Sequence, residues 1–165
     1  MEQIYDFFLN SFPKELAAFI ISMLPVVELR GGLIFAAIAG IPFWKAFLLC
    51  YLGNIVPIPF ILLFLRKIFS WLERWKLTAK VVRKLEEKAR KGGAKLGRYE
   101  NLGLFILVAI PLPGTGGWTG SLVSVIFDFQ IKRAFPIIAL GILAAGGIMS
   151  VLTYLIPGLI PGLSF

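Results

Sequence analysis

The chain contains no histidine and one cysteine, Cys50. The first absence excludes a catalytic Ser-His-Asp triad, a histidine-bound metal and an imidazole proton relay. The second excludes an internal disulfide and a cysteine-ligated metal cluster. Cys50 lies in an apolar run, where a small buried hydrophobe is expected. Charge is scarce as well. Only 16% of the 165 residues are charged and 58% are hydrophobic, with a mean hydropathy of +0.86. A soluble domain carries about 25% charged residues, so a soluble enzyme and a disordered chain are both poor fits. Residues 46–65, 101–127 and 134–165 hold no charge at all. Each stretch reaches the roughly 20 residues that a helix needs to cross the hydrocarbon core. The sequence reads as a polytopic integral membrane protein. Its first residues, MEQIYDFF, place acids where a secretory signal would have basic residues, so no cleaved signal is expected.

The charge that is present is concentrated. Residues 66–98 hold 12 Lys or Arg and 3 Glu, a balance of +9, and the rest of the chain sums to −1. Flanked by spans, such a segment fits a cytoplasmic loop better than a nucleic-acid site. Ile68, Trp71, Leu72, Trp75, Ala79, Val82, Leu85 and Ala89 recur at helical spacing. The spacing predicts an amphipathic interfacial helix over 67–98, ended by Gly92 and Gly93. The plain reading is a solvated connector that sets topology; the sharper one has Trp71, Trp75, Arg74 and Lys76 touching the lipid surface, with the basic face toward anionic headgroups.

Two halves of the chain resemble each other. Pro25 and Pro111, and Gly31 and Gly117, are each 86 apart; Ala46 and Ala134, and Gly53 and Gly141, are each 88 apart. Each half opens with a segment broken by proline and glycine. The first, 15–41, contains Pro25, Gly31 and Gly32; the second, 101–128, contains Pro111, Pro113, Gly114, Gly116, Gly117 and Gly120. Proline removes a donor and interrupts the helix, and broken backbone at membrane depth must be buried in protein or line a wet cavity. Both segments are therefore expected to be re-entrant hairpins. Each is followed by a better spanning helix, at 46–66 and 133–156. The expected architecture is all-α: two inverted repeats, each a re-entrant hairpin plus a transmembrane helix, joined by the basic helix. Residues 1–14 would form a short amphipathic lead-in. Repeats of this kind are common in transporters.

Glu28 and Arg30 are ionisable residues inside an apolar segment. Insertion scales put such charges at about 2.5–3.5 kcal/mol each at a helix centre, so they need partners or a cavity. Residues two apart do not face each other on a helix. Either the backbone is irregular here or each has a separate partner. The second broken segment supplies Gly114, Thr115, Gly116, Gly117 and Thr119, a run able to hold an anion through N–H groups and hydroxyls. The plainer reading of these small residues is close helix packing. Asn54 precedes Pro57 and Pro59, which suggests a kinked helix whose freed carbonyls face the site. Asp128 reads as a helix-boundary acid.

The motifs Leu-Pro-x-x-Glu-x-Arg-Gly-Gly at 24–32, Gly53-Asn54-x-x-Pro57-x-Pro59, and Ile110-Pro-x-Pro-Gly-Thr-Gly-Gly-Trp118 resemble those of the small multidrug export protein family. That family is similar in plan to the DedA or SNARE-associated (VTT) superfamily. The resemblance covers about 15–156. It implies paired re-entrant hairpins that meet mid-membrane, and proton-linked transport or lipid translocation. For DedA relatives it implies recycling of undecaprenyl phosphate. The uncharged second hairpin departs from the DedA pattern, where that hairpin has its own arginine.

The leading expectation is a membrane transporter or lipid translocase moving an anionic lipid with proton coupling. Arg30 would hold the headgroup, aided by Gly31, Asn54 and the 114–119 run, and Glu28 would exchange the proton. Pro25, Pro111 and Pro113 would break the hairpins. The alternatives are an exporter of lipophilic cations, with Glu28 as counter-ion, and a membrane protein that moves nothing. The chain is expected to lack enzymatic activity, cofactor and metal. Its expected partners are membrane lipids and protons, with a homodimer left open, in the inner or plasma membrane. The charge pattern predicts 66–98 in the cytoplasm and both termini outside. Single-cysteine labelling at position 80 in a Cys50→Ala background checks this, and labelling from outside the cell only would refute it.

Overall fold

The computed structural model describes residues 12–72, 99–112 and 114–155. Among them every regular element is helical. Helices α1 (Lys14–Met23) and α2 (Glu28–Ile38) are joined by a turn at 24–27. Then come α3 (Phe43–Ile55) and α4 (Pro57–Leu72). Helices α5 (Glu100–Ala109) and α6 (Gly117–Ile126) flank the connection 110–116, and α7 (Ile131–Ser150) continues into a π-helical turn, Val151–Leu155. The expected lead-in at 1–14 and basic helix at 67–98 fall mostly outside the described residues, as do Arg74, Trp75, Lys76 and Pro113. Trp71 lies in the last turn of α4 and is exposed.

The prolines set the breaks. A residue before proline is pushed to extended backbone, and both Leu24 (φ −70°, ψ 137°) and Ile110 (φ −74°, ψ 121°) obey. That ends α1 before Pro25 and α5 before Pro111. Pro57 and Pro59 fall in the first turn of α4, where a missing N–H is tolerated. They leave the Gly53 and Ile55 carbonyls without their i+4 donors. Even so, Val56 stays helical, and Phe43–Ile68 forms one apolar stretch of 26 residues. It and Ile131–Leu155 are both long and apolar enough to cross a membrane, each with a mean hydropathy of 2.2. They start two or three residues before the expected bounds of 46 and 133.

Contacts at the helix ends fix how the elements run. Lys14 Nζ donates to Ala39 O at 3.2 Å, so the start of α1 lies beside the end of α2. The two are antiparallel. Glu15 pairs with Lys45 at 3.0 Å at the same end. A hydrogen bond from its own main chain, then the Lys45 contact, hold the Glu15 carboxyl below its usual value. Arg66, near the other end of the Phe43–Ile68 stretch, pairs with Asp128 at 3.3 Å just past α6. Tyr154 reaches back to Ile41 O at 3.3 Å. The α1–α2 pair therefore opens at one end of the bundle and the α5–α6 pair at the other. α1 and α2 pack on α3, α5 packs on α7, α6 on α4, and α3 touches α7. Buried Ser22, Ser121, Ser124 and Ser150 return their hydroxyls to the carbonyl four residues earlier, so they satisfy themselves.

One contact occurs twice. A Cβ on Gly53 would strike Phe19 O and lie 3.2 Å from Ser22 Cβ. A Cβ on Gly141 would lie 3.2 Å from Phe105 O and 2.7 Å from Val108 Cβ. Phe19 and Phe105, like Ser22 and Val108, are 86 apart. In each half, a glycine of the long helix lets the first helix of the adjacent pair lie backbone to side against it. Gly53→Ala is expected to destabilise the protein by about 1–3 kcal/mol, as overpacking does. Gly103→Ala, with nothing near its Cβ, is expected to be neutral or slightly stabilising. Thermal unfolding of both variants in detergent checks the contrast.

Candidate functional site

The turn at 24–27 is closed by the Glu28 N–H on Leu24 O at 2.9 Å. Glu28 itself takes left-handed backbone, with φ at 51°. That conformation turns its side chain out of the α2 face and toward the other helical pair. The carboxylate accepts the main-chain N–H of Trp118 at 3.1 Å, and that of Gly117 as well. Both amides belong to the first turn of α6. They are N–H groups that a helix cannot satisfy itself. Glu28 is 5% exposed.

Arg30 points to the other side of the same break. Its Nη1 donates to Leu112 O, and its Nη2 donates to Ile110 O at 3.2 Å and to Thr115 Oγ1 at 3.0 Å. Ile110 and Leu112 follow directly on the C-terminus of α5. The Thr115 hydroxyl lies 2.8 Å from both of those carbonyls. Glu28 and Arg30 do not pair with each other. Both options left open by their spacing apply: the backbone is irregular at Glu28, and each residue has its own partner. The anion sits at the positive end of α6 and the cation at the negative end of α5, the signs that helix dipoles favour.

The small residues make this approach possible. Gly116 has φ at 129°, and a Cβ there would land on Glu28 Oε2. Gly117 opens α6, and a Cβ on it would meet Ile58 Cδ1 at 2.8 Å and Asn54 Oδ1 at 3.4 Å. Gly114 is exposed, with φ at 81°, and its carbonyl accepts the Thr119 hydroxyl at 2.9 Å. Gly31 is buried within α2; the tight contact there belongs to Gly32, whose Cβ would strike Ser22 Oγ. Pro25 and Pro111 lie in the two connections, and Arg30 grips the carbonyls on either side of Pro111.

Asn54 is 2% exposed. Together with Glu28, Arg30, Val108, Gly116 and Ile142 it lines a cavity of about 10 Å³. On the outer side, Pro25, Pro57, Phe60, Phe64, Trp118 and Leu122 line an apolar groove of about 960 Å³. Sequence reasoning did not find this groove. Its signal was available in the spacing of Pro57, Phe60 and Phe64 along one face of α4.

The fold is thus an all-helical membrane protein in which two helical pairs join through a charged seam. The family described as "Putative small multi-drug export protein" matches residues 28–148. The chain belongs to that family. No curated protein and no solved structure matches it. Gly116→Ala is expected to destabilise the protein by about 1–3 kcal/mol more than Gly114→Ala, because only Gly116 abuts the Glu28 carboxylate. Paired unfolding curves check the difference.

Proposed function

We propose that the protein is a proton-linked translocator of amphiphiles with an anionic headgroup, set multi-pass in the inner or plasma membrane. In this reading α1–α2 and α5–α6 are re-entrant hairpins and the two halves are inverted repeats. Their lengths support this. At 10 or 11 residues, each helix is about 15–17 Å long, half of a core about 30 Å thick. The opening of the pairs at opposite ends of the bundle, and the glycine contact repeated in both halves, support inversion. Arg66, Lys132 and Arg133 then share a side with the basic segment, which suits a cytoplasmic face.

One observation carries the choice of headgroup: of the two charges, the positive one is the less buried. Glu28 is buried on the α6 amides, whereas Arg30 is half-buried beside Thr115 at the seam. A guanidinium grips a phosphate or carboxylate with two parallel bonds. The groove along α4 suits the apolar body of the same molecule, its volume lying within the usual range for ligand sites. The resemblance to DedA proteins brings a polyprenyl phosphate, undecaprenyl phosphate among them, to the front of this class.

Glu28 supplies the coupling. As a carboxylate it fills the anion site at the α6 N-terminus. Once protonated it loses its attraction to the helix dipole, an effect of about 0.3–2 kcal/mol. The Gly117 and Trp118 amides then become available to the headgroup next to Arg30. Proton and anion thus move together. Apart from the exchange of the Glu28 proton no bond is made or broken, and the reading needs no enzyme chemistry, cofactor or metal. The family description, small multi-drug export, is consistent with a second reading: export of lipophilic cations, with Glu28 as counter-ion.

Proteoliposomes loaded with either a fluorescent phosphate-headed lipid or a lipophilic cation dye separate the two. Arg30→Ala is expected to lower lipid translocation at least about tenfold, and Arg30→Lys to restore part of it. Glu28→Gln is expected to remove its dependence on a proton gradient. Cation movement that survives Arg30→Ala and is lost in Glu28→Gln would favour the second reading. Parent-like behaviour of all variants would leave the protein a structural role.

A further inference from the structure

The structure assigns Asn54 as the acceptor for the Glu28 hydroxyl when the carboxyl is protonated, across the cavity that the two residues share. This rests on the proton-linked reading of Glu28. In the charged state Glu28 accepts from two amides. A protonated carboxyl gains a donor that needs an acceptor of its own. The N–H groups of α6 cannot supply one. The carbonyls of Ile110 and Leu112 are held by Arg30 and Thr115.

Asn54 Oδ1 is different. It is buried and has no hydrogen-bond partner. A buried carbonyl left unpaired costs about 1–3 kcal/mol, and most such groups are paired. It lies 3.4 Å from the Cβ position of Gly117, the residue whose amide also serves Glu28. The cavity between them measures about 10 Å³, on the order of one water molecule. With Glu28, Arg30 and Asn54 on its walls, a water there would have the two to four polar partners it needs. The unpaired oxygen therefore belongs to the proton-loaded state. Glu28 has a set of partners for each of its two forms: the amides of α6 for the anion, and Asn54 for the acid.

Among the described residues few other charges bear on Glu28, and Arg66 of α4 pairs with Asp128. Arg30, on the same helix, acts on it directly. Lys14 and Glu15 of α1 and Lys45 of α3 are tied up at the open end of the pair. Cys50 and Tyr51 of α3 and Tyr154 beyond α7 rest on carbonyls elsewhere. Lys132 and Arg133 sit in the first turn of α7, and Glu100 begins α5.

Infrared difference spectra of the full chain in lipid nanodiscs, titrated from alkaline to acid, test the assignment. The protonated-carboxyl band missing in Glu28→Gln belongs to Glu28. In Asn54→Leu, similar in size but without an acceptor, that band is expected to move to higher wavenumber. About tenfold more acid should then be needed for half-protonation. Asn54→Ser keeps an oxygen and is expected to restore part of both changes; it also serves if Asn54→Leu does not fold. An unchanged band and titration in Asn54→Leu, or in Asn54→Ala if Asn54→Leu does not fold, would overturn the assignment and leave the proton-linked reading intact. A parent spectrum with no band that depends on Glu28 would overturn both.

Discussion

The two broken ends between α5 and α6 are held from outside, by one glutamate and one arginine of the opposite helical pair. Breaking a helix frees N–H groups on one side and carbonyls on the other. Where no water reaches, each unsatisfied group costs several kcal/mol. A charged side chain in the same setting is costly too. Here the two liabilities offset each other. Glu28 takes the amides of Gly117 and Trp118, and Arg30 takes the carbonyls of Ile110 and Leu112. A mutual salt bridge would have satisfied the charges and left the broken backbone bare. The Glu-x-Arg spacing instead spans the break, one residue for each end.

This contact requires close approach, and small residues provide it. Gly116 leaves room for the carboxylate itself. Gly32 lets α2 reach Ser22 of α1, Gly120 lets α6 lie on Val108 of α5, and Gly53 and Gly141 seat the pairs on the long helices. Such packing by small residues is how apolar helices associate where there is no water to expel. The family match runs from Glu28 to residue 148. It thereby includes both capping residues and all of these glycines.

Much of this was legible in the sequence. The prolines marked the breaks because a residue before proline is forced to extend, whatever the tertiary context. Glu28 and Arg30 stood out because charge is rare in their segment, and the 86- and 88-residue offsets pointed to a repeat that the packing at Gly53 and Gly141 echoes. What could not be read was partnership. Arg30 and Leu112 are 82 residues apart, and no local rule sets the register between segments so distant. At Asn54, Pro57 and Pro59 point to freed carbonyls, whereas the geometry brings its own side-chain oxygen to the site. The lipid-facing readings of Arg74, Trp75 and Lys76 fall outside the described residues.

Glu28 also carries backbone strain. A non-glycine residue in the left-handed region is strained by about 1–2 kcal/mol, and Glu28 sits there with φ at 51°. Its two amide contacts are what offset that strain. They are strong because a full negative charge meets N–H donors at a helix N-terminus, which makes such bonds roughly twice as strong as neutral ones. Protonation weakens the contacts and leaves the strain in place. In the proposed cycle the charged form is held on the α6 amides, and the neutral form exchanges them for Asn54. Under the proposed proton linkage, a residue set up in this way would convert a single proton into a change of fit between the two helical pairs.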